Sequence, residues 1–372
     1  MINSHKKEQI AFEVIRTLYK RFIKFPSEAA KNRNAPFHEA FLKAFQIELE
    51  NAFLRNYKHN EQLIEHGLSR EIVYIPTFIS LSSWLHGLNT SLGQSFFQNV
   101  AQILCDGEKE KKFSGNQILQ SQKNTVYSVI TDLKNAQRNP NTFIEEREIF
   151  DLGQNDNLVN ATDFVVDIFY EDEKDVVALE LKTVRPNSGV FKVEKQKILE
   201  AKTALKGLYP EKYIYYYLGF PFDPLHHTPT GFDKERFMDL SIDFRKYFHV
   251  DEFLIADELW DFLSGEQNTM QTILDIINVI ATPNFMEKLN FINNQSVNLQ
   301  EFRDQYMRLL DEWCLISEKQ LVEHLNEITL AVNNNRRLKR YFNQPPFLLY
   351  NTSSVVEANY NSKKQSKLLD AL

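Results

Sequence analysis

The chain has 372 residues, of which 43% are apolar and 13% aromatic, with a formal charge of −7 and a pI near 5.8. That is enough apolar material for a substantial core, in one large domain or several, and it excludes a disordered tail protein. The acidic balance argues against nonspecific coating of nucleic acid, and the isolated Cys105 and Cys314 indicate neither a disulfide framework nor a zinc cluster.

Elements in chain order begin with helices. Ile10, Val14, Leu18 and Phe22 recur at every fourth position, and Pro36 opens a second helix through Phe41, Phe45, Leu49 and Phe53. Ser91 to Leu104 reads as a buried helix in which Gln94 is a candidate site contact. Gly107 and the EKEKK run end it, and a polar helix follows through Ile130. Strand character begins at Thr142, with Phe143 to Phe150 as the first strand. Lys212 to Phe220 is rich in tyrosine and strongly β-prone. A Pro-rich loop from Phe220 to Gly231 then leads into helices that run to the end. Among these, Leu321, Leu325, Ile328 and Val332 mark one amphipathic helix, and Lys363, Lys364 and Lys367 read as a solvated tail. The expected organisation is α/β: a helical region over 1–140, a mixed central sheet flanked by helices over 141–265, and a helical region over 266–372. No apolar run is long enough to span a membrane and MINSHKKEQIAF lacks a signal peptide's apolar region, so a reducing cytoplasm is the expected compartment.

The chemistry concentrates in one stretch. Asp163-Phe-Val-Val-Asp167-Ile-Phe-Tyr170 and Val176-Val-Ala-Leu-Glu180-Leu-Lys182 read as two strands joined by a charged turn. Side chains alternate along a strand, so Glu180 and Lys182 share one face, as do Asp163 and Asp167 on the other strand. If the hairpin aligns those polar faces, carboxylates and an ammonium meet at the rim of an apolar sheet. Mg²⁺ takes oxygen ligands and keeps several waters, so Asp163, Glu180 and the backbone carbonyl of Leu181 suffice to hold it beside a phosphate. Lys182 would orient the attacking water and stabilise developing charge, or act as a base. Asp167 lies on the face of Asp163 and could replace or assist it, because strand register is not readable to the residue. From Lys182 to Lys206 seven basic residues face only two carboxylates, a local charge of +5 suited to a phosphate-backbone cleft. Arg185, Asn187, Lys192 and Lys195 are the expected DNA contacts.

The segment ELKTVRPNSGVFKVEKQKILEAKTAL, with TDFVVDIF upstream, resembles the PD-(D/E)xK nuclease superfamily. More narrowly it is similar to the TdeIII/MjaII-type family of type II restriction endonucleases, which the stretches from Trp84 to Leu104 and from Ile255 to Gly265 also fit. The resemblance implies Asp163, Glu180 and Lys182 as catalytic positions, with Thr162 where the superfamily's name has proline. It also implies Mg²⁺-dependent cleavage of duplex DNA at a short site, GGNCC being the sequence associated with the family, leaving 5′-phosphates. A homodimer and a partner DNA methyltransferase belong to the same expectation.

Overall fold

The computed structural model describes residues 2–23, 36–47, 62, 65, 83–151, 156–182, 188–239, 243–333, 335–352 and 355–370. The chain forms two units, one of residues 97–270 and one of residues 1–96 with 271–372.

The unit of residues 97–270 is built on the hairpin read from the sequence. Strands β4 (Phe164–Glu171) and β5 (Asp175–Leu181) pair antiparallel, with Ile168 opposite Leu179 and Glu171 opposite Val176. Asp172 closes the turn, its carboxylate accepting from the Lys174 and Asp175 amides at 2.8 Å, the local bond that makes aspartate a turn residue. On β5 the residues Val176, Val177, Ala178 and Leu179 are all buried, as a strand covered on both faces requires. Strand β6 (Tyr213–Phe220) runs parallel to β5, and the short β7 (Phe253–Ile255) runs parallel to β6. The crossover between β5 and β6 is the helix Ser188–Leu208, the connection a parallel pair needs. At Gly219 on β6 a Cβ would meet the Leu179 and Leu181 methyls at 2.8 and 2.9 Å, so a larger residue there would make those side chains shift beneath the site.

The remaining edge overturns two expectations. The EKEKK run does not merely end a helix. Glu108–Phe113 is strand β1, antiparallel to β4, giving the sheet order β1-β4-β5-β6-β7. Its charged side chains suit an exposed edge, and they hid the strand from an apolar periodicity test. Thr142–Phe150 is not a strand but a helix, capped by the Asn141 carboxamide, which accepts from the Ile144 amide at 3.0 Å. Its Glu145 and Ile149 are buried one turn apart. Because β1 lies before residue 140, the sheet unit begins well upstream of the boundary expected there. A small β2–β3 ladder (Gln117–Leu119 with Leu158–Asn160) and the polar helix Gln120–Lys134 also belong to this unit.

In the other unit the helix Ser4–Ile23 buries Ile10, Val14 and Leu18 as expected. Pro36 opens a helix through Leu42, whereas Leu49 and Phe53 lie outside the described residues. The long amphipathic helix expected near residue 325 is two, Ile316–Glu323 and Leu325–Asn333, whose Leu321, Ile328 and Val332 pack with Leu368. Helices do not run to the end: β8 (Phe347–Asn351) and β9 (Val356–Tyr360) form a hairpin. The lysine-rich tail is a helix, Ser362–Leu369, with Lys364 buried 3.4 Å from Glu318.

Candidate active site

Continuing the β4–β5 register by one residue places Asp167 directly opposite Glu180 on one face. The contacts agree: the amide of Leu181 donates to Asp167 Oδ2 at 2.7 Å. The end of β5 therefore touches the Asp167 carboxylate through the Leu181 amide. Asp163 lies four residues further from the turn, about 13 Å along an extended chain. It is exposed, and its Oδ1 accepts from the Gly115 amide at 3.1 Å. The structure does not bring Asp163 to Glu180, because the short turn at Asp172 fixes a register in which Asp167 is the partner.

The helix Ser188–Leu208 supplies two further charges. Lys182 Nζ lies 3.0 Å from Glu180 Oε1 and 3.0 Å from Glu194 Oε1, and Lys197 Nζ lies 3.0 Å from Glu180 Oε2. The result is a line of ion pairs, Lys197–Glu180–Lys182–Glu194, beside Asp167. Glu194 and Lys197 are three apart and so rise from one helix face. Tyr216 of β6 is buried under the same cluster, and burial, with Glu180, Glu194 and Asp167 adding, keeps its hydroxyl neutral well above the usual range.

The electrostatics distinguish the two central groups. Burial, reinforced by the like charge of Glu180, pushes the Asp167 carboxyl up to about 6 against the pull of the Leu181 amide, Lys182 and Lys197. Burial alone would lower the Lys182 ammonium, but Glu180 and Glu194 outweigh it and the net shift is upward. Lys182 is therefore a fixed positive charge in this state. Asp167, Glu180 and Glu194 carry three negative charges against the two ammoniums, and an oxygen-rich set with that residual charge fits a hard divalent cation. Among the described residues no group of three or more His, Cys, Asp or Glu side chains forms a metal cluster, so such a cation would rely on Asp167 and Glu180, a backbone carbonyl and water.

The expected DNA contacts divide. Lys192 is half-buried on the helix and remains available. Lys195 does not: it is fully buried, 2.6 Å from Glu145 and 2.5 Å from Glu252, and it ties the helix to its neighbours. Arg185 and Asn187 lie outside the described residues. Glu146 pairs with Lys202 and Glu148 with Arg138, so neither adds a carboxylate to the centre. Glu194, Lys197 and Gln98 are site residues that the sequence did not single out; Gln98 lies one turn from the candidate Gln94. Gln98 donates from Nε2 to Asp167 Oδ1 at 2.7 Å.

A mixed five-stranded sheet flanked by helices, with a carboxylate pair and a lysine on adjoining strands, defines a restriction-endonuclease-like fold. Residues 2–281 match the family described as Type II restriction endonuclease, HinfI, and the chain belongs to it. It is accordingly a site-specific deoxyribonuclease. The chain is also 40% identical over 378 aligned residues, covering 98% of it and 96% of the relative, to Type II restriction enzyme MjaII of Methanocaldococcus jannaschii. The resemblance read from the residues is thus borne out. No solved structure matches the chain. Among the described residues, no helix is long and apolar enough to cross a membrane.

Proposed function

We propose that this nuclease cuts both strands of duplex DNA at a short specific site in a Mg²⁺-dependent reaction centred on Asp167, Glu180 and Lys182. The observation that carries the reading is the Leu181 amide's bond to the Asp167 carboxylate, which sets Asp167 beside the strand end that carries Glu180, with Lys182 bridging Glu180 and Glu194. Asp167 would hold the cation in the role expected of Asp163, with the Leu181 carbonyl supplying a third oxygen. Bound there, Mg²⁺ would polarise the scissile phosphate and lower the pKa of the attacking water.

The chain's own groups do the rest. Each oxygen of Glu180 accepts from one ammonium 3.0 Å away, which leaves each a further lone pair for a cation while Lys182 and Lys197 stay beside it. From there the two lysines would neutralise charge that builds on the phosphate oxygens. Lys182, whose proton is held by Glu180 and Glu194, acts as that positive charge rather than as the base. Water attacks phosphorus in line and gives its proton to solvent as the bond to the 3′ oxygen breaks; that oxygen takes a proton from solvent, leaving a 3′-hydroxyl and a 5′-phosphate. Lys192, with Arg185 and Asn187, contacts the backbone. A palindromic site, of which GGNCC is the candidate, needs two symmetry-related centres and hence a homodimer. A cognate methyltransferase protects host sites, and both proteins work in the cytoplasm.

Digestion of unmethylated phage DNA by the purified chain, with Mg²⁺ or with EDTA, tests this. Discrete fragments that require Mg²⁺ and carry 5′-phosphates are expected. A smear, intact DNA in both lanes, or cutting in EDTA would overturn it.

A further inference from the structure

The site contains three buried side-chain atoms that find no hydrogen-bond partner among the described residues: Gln98 Oε1, Glu194 Oε2 and Tyr216 Oη. Gln98 differs from the other two in that it already grips the Asp167 carboxylate through the other end of its amide. We propose that Gln98 is a positioning residue that fixes the Asp167 carboxylate in the orientation that receives the divalent cation. This inference rests on the reading of Asp167 as a cation ligand.

Three observations support the assignment. The helix that carries Gln98, Phe97–Cys105, is anchored through the buried Phe97, Val100, Ala101 and Leu104, and Gln98 itself is only 9% exposed. Its amide therefore has little freedom to wander. The two donors on Asp167 come from different directions: Gln98 Nε2 on Oδ1 and the Leu181 amide on Oδ2, both at 2.7 Å. One donor on each oxygen fixes the carboxylate's rotation and leaves each oxygen further lone-pair capacity. Finally, a neutral amide does this without altering the charge of the pair. A carboxylate here would add to the repulsion between Asp167 and Glu180, and a third ammonium would compete with the cation. The unpartnered Oε1 is an acceptor, matched to a hydrating water whose hydrogens point away from its cation.

Groups that orient a ligand in this way change metal affinity by about 10–100-fold when removed. The test uses the full chain as Gln98→Met, which keeps length and packing but loses the donor. Gln98→Asn is a second variant, which stays polar but withdraws the amide by one methylene. Gln102→Met is the matched control, one turn along the same helix, where the amide donates to the Gly107 carbonyl at 3.3 Å. Mn²⁺ binding is measured by calorimetry without DNA, beside thermal melting, with Asp167→Asn in parallel. Both Gln98 variants are expected to bind Mn²⁺ about 10–100-fold more weakly than wild type and Gln102→Met. Their melting should match the control, and their maximal cleavage rate should be recovered at high Mn²⁺. Wild-type Mn²⁺ affinity in both Gln98 variants, with affinity lost in Asp167→Asn, overturns the role of Gln98 alone. Wild-type affinity in Asp167→Asn removes the reading of Asp167 on which the proposal stands.

Discussion

Asp167→Asn should make the metal-free protein more stable and inactive at once. Wild-type Asp167 must ionise while partly buried beside Glu180, and its carboxyl is pushed from 3.8 up to about 6. That rise corresponds to roughly 3 kcal/mol. Because the folded value is the higher one, this group's contribution to stability is fully present below about pH 4 and is lost as pH rises through about 6. Asparagine has no proton to lose. Its hydrogen bonds survive: the Leu181 amide still donates to the carbonyl oxygen, and Gln98, turned over, offers its unpartnered Oε1 to the new NH₂ group. Urea denaturation in EDTA between pH 4 and 7.5 should show the variant more stable by about 1–3 kcal/mol at pH 7.5, with the gap closing toward pH 4. Added Mn²⁺ should stabilise wild type but not the variant. A gap that is absent, or that does not change with pH, would refute the electrostatic reasoning.

Lys182→Ala should slow cleavage by about 10²–10³-fold while DNA binding in Ca²⁺, followed by gel shift, is retained. Lys195→Met strips the shared cation from buried Glu145 and Glu252 and should cost about 3–5 kcal/mol in urea denaturation. Lys192→Ala should leave stability within about 0.5 kcal/mol yet reduce the salt slope of DNA binding by about one. Chelation by EDTA should stop cleavage without changing the circular dichroism spectrum, because the sheet does not depend on the cation.

Much of the sheet unit was legible because its central strands obey simple periodicities. The alternation of β4, the apolar run of β5 and the tyrosine-rich β6 each state their structure locally, and Glu180 and Lys182 follow from period two. The choice between Asp163 and Asp167 did not, since it depends on how many residues the turn at Asp172 consumes. A strand offset by four residues would have looked the same in sequence. Strand β1 escaped because an edge strand can carry Glu-Lys-Glu-Lys-Lys with little apolar signal. The helix Thr142–Phe150 escaped because its Phe, Ile and Glu spacing satisfies both periods; Asn141, as a cap after Pro140, was the signal that could have settled it. Lys195 looked like a DNA contact because a buried, doubly paired lysine has the same letter as a solvated one. Its partners Glu145 and Glu252 lie some fifty residues away on either side.

Single-turnover cleavage of one cognate duplex in Mg²⁺ by Asp163→Ala and Asp167→Ala, side by side, tests the central claim most directly. The account predicts that Asp163→Ala cuts at close to the wild-type rate and that Asp167→Ala does not cut. Cleavage by Asp167→Ala with loss in Asp163→Ala would contradict it, and would mean that the functional carboxylate is the one this fold leaves at the Gly115 amide.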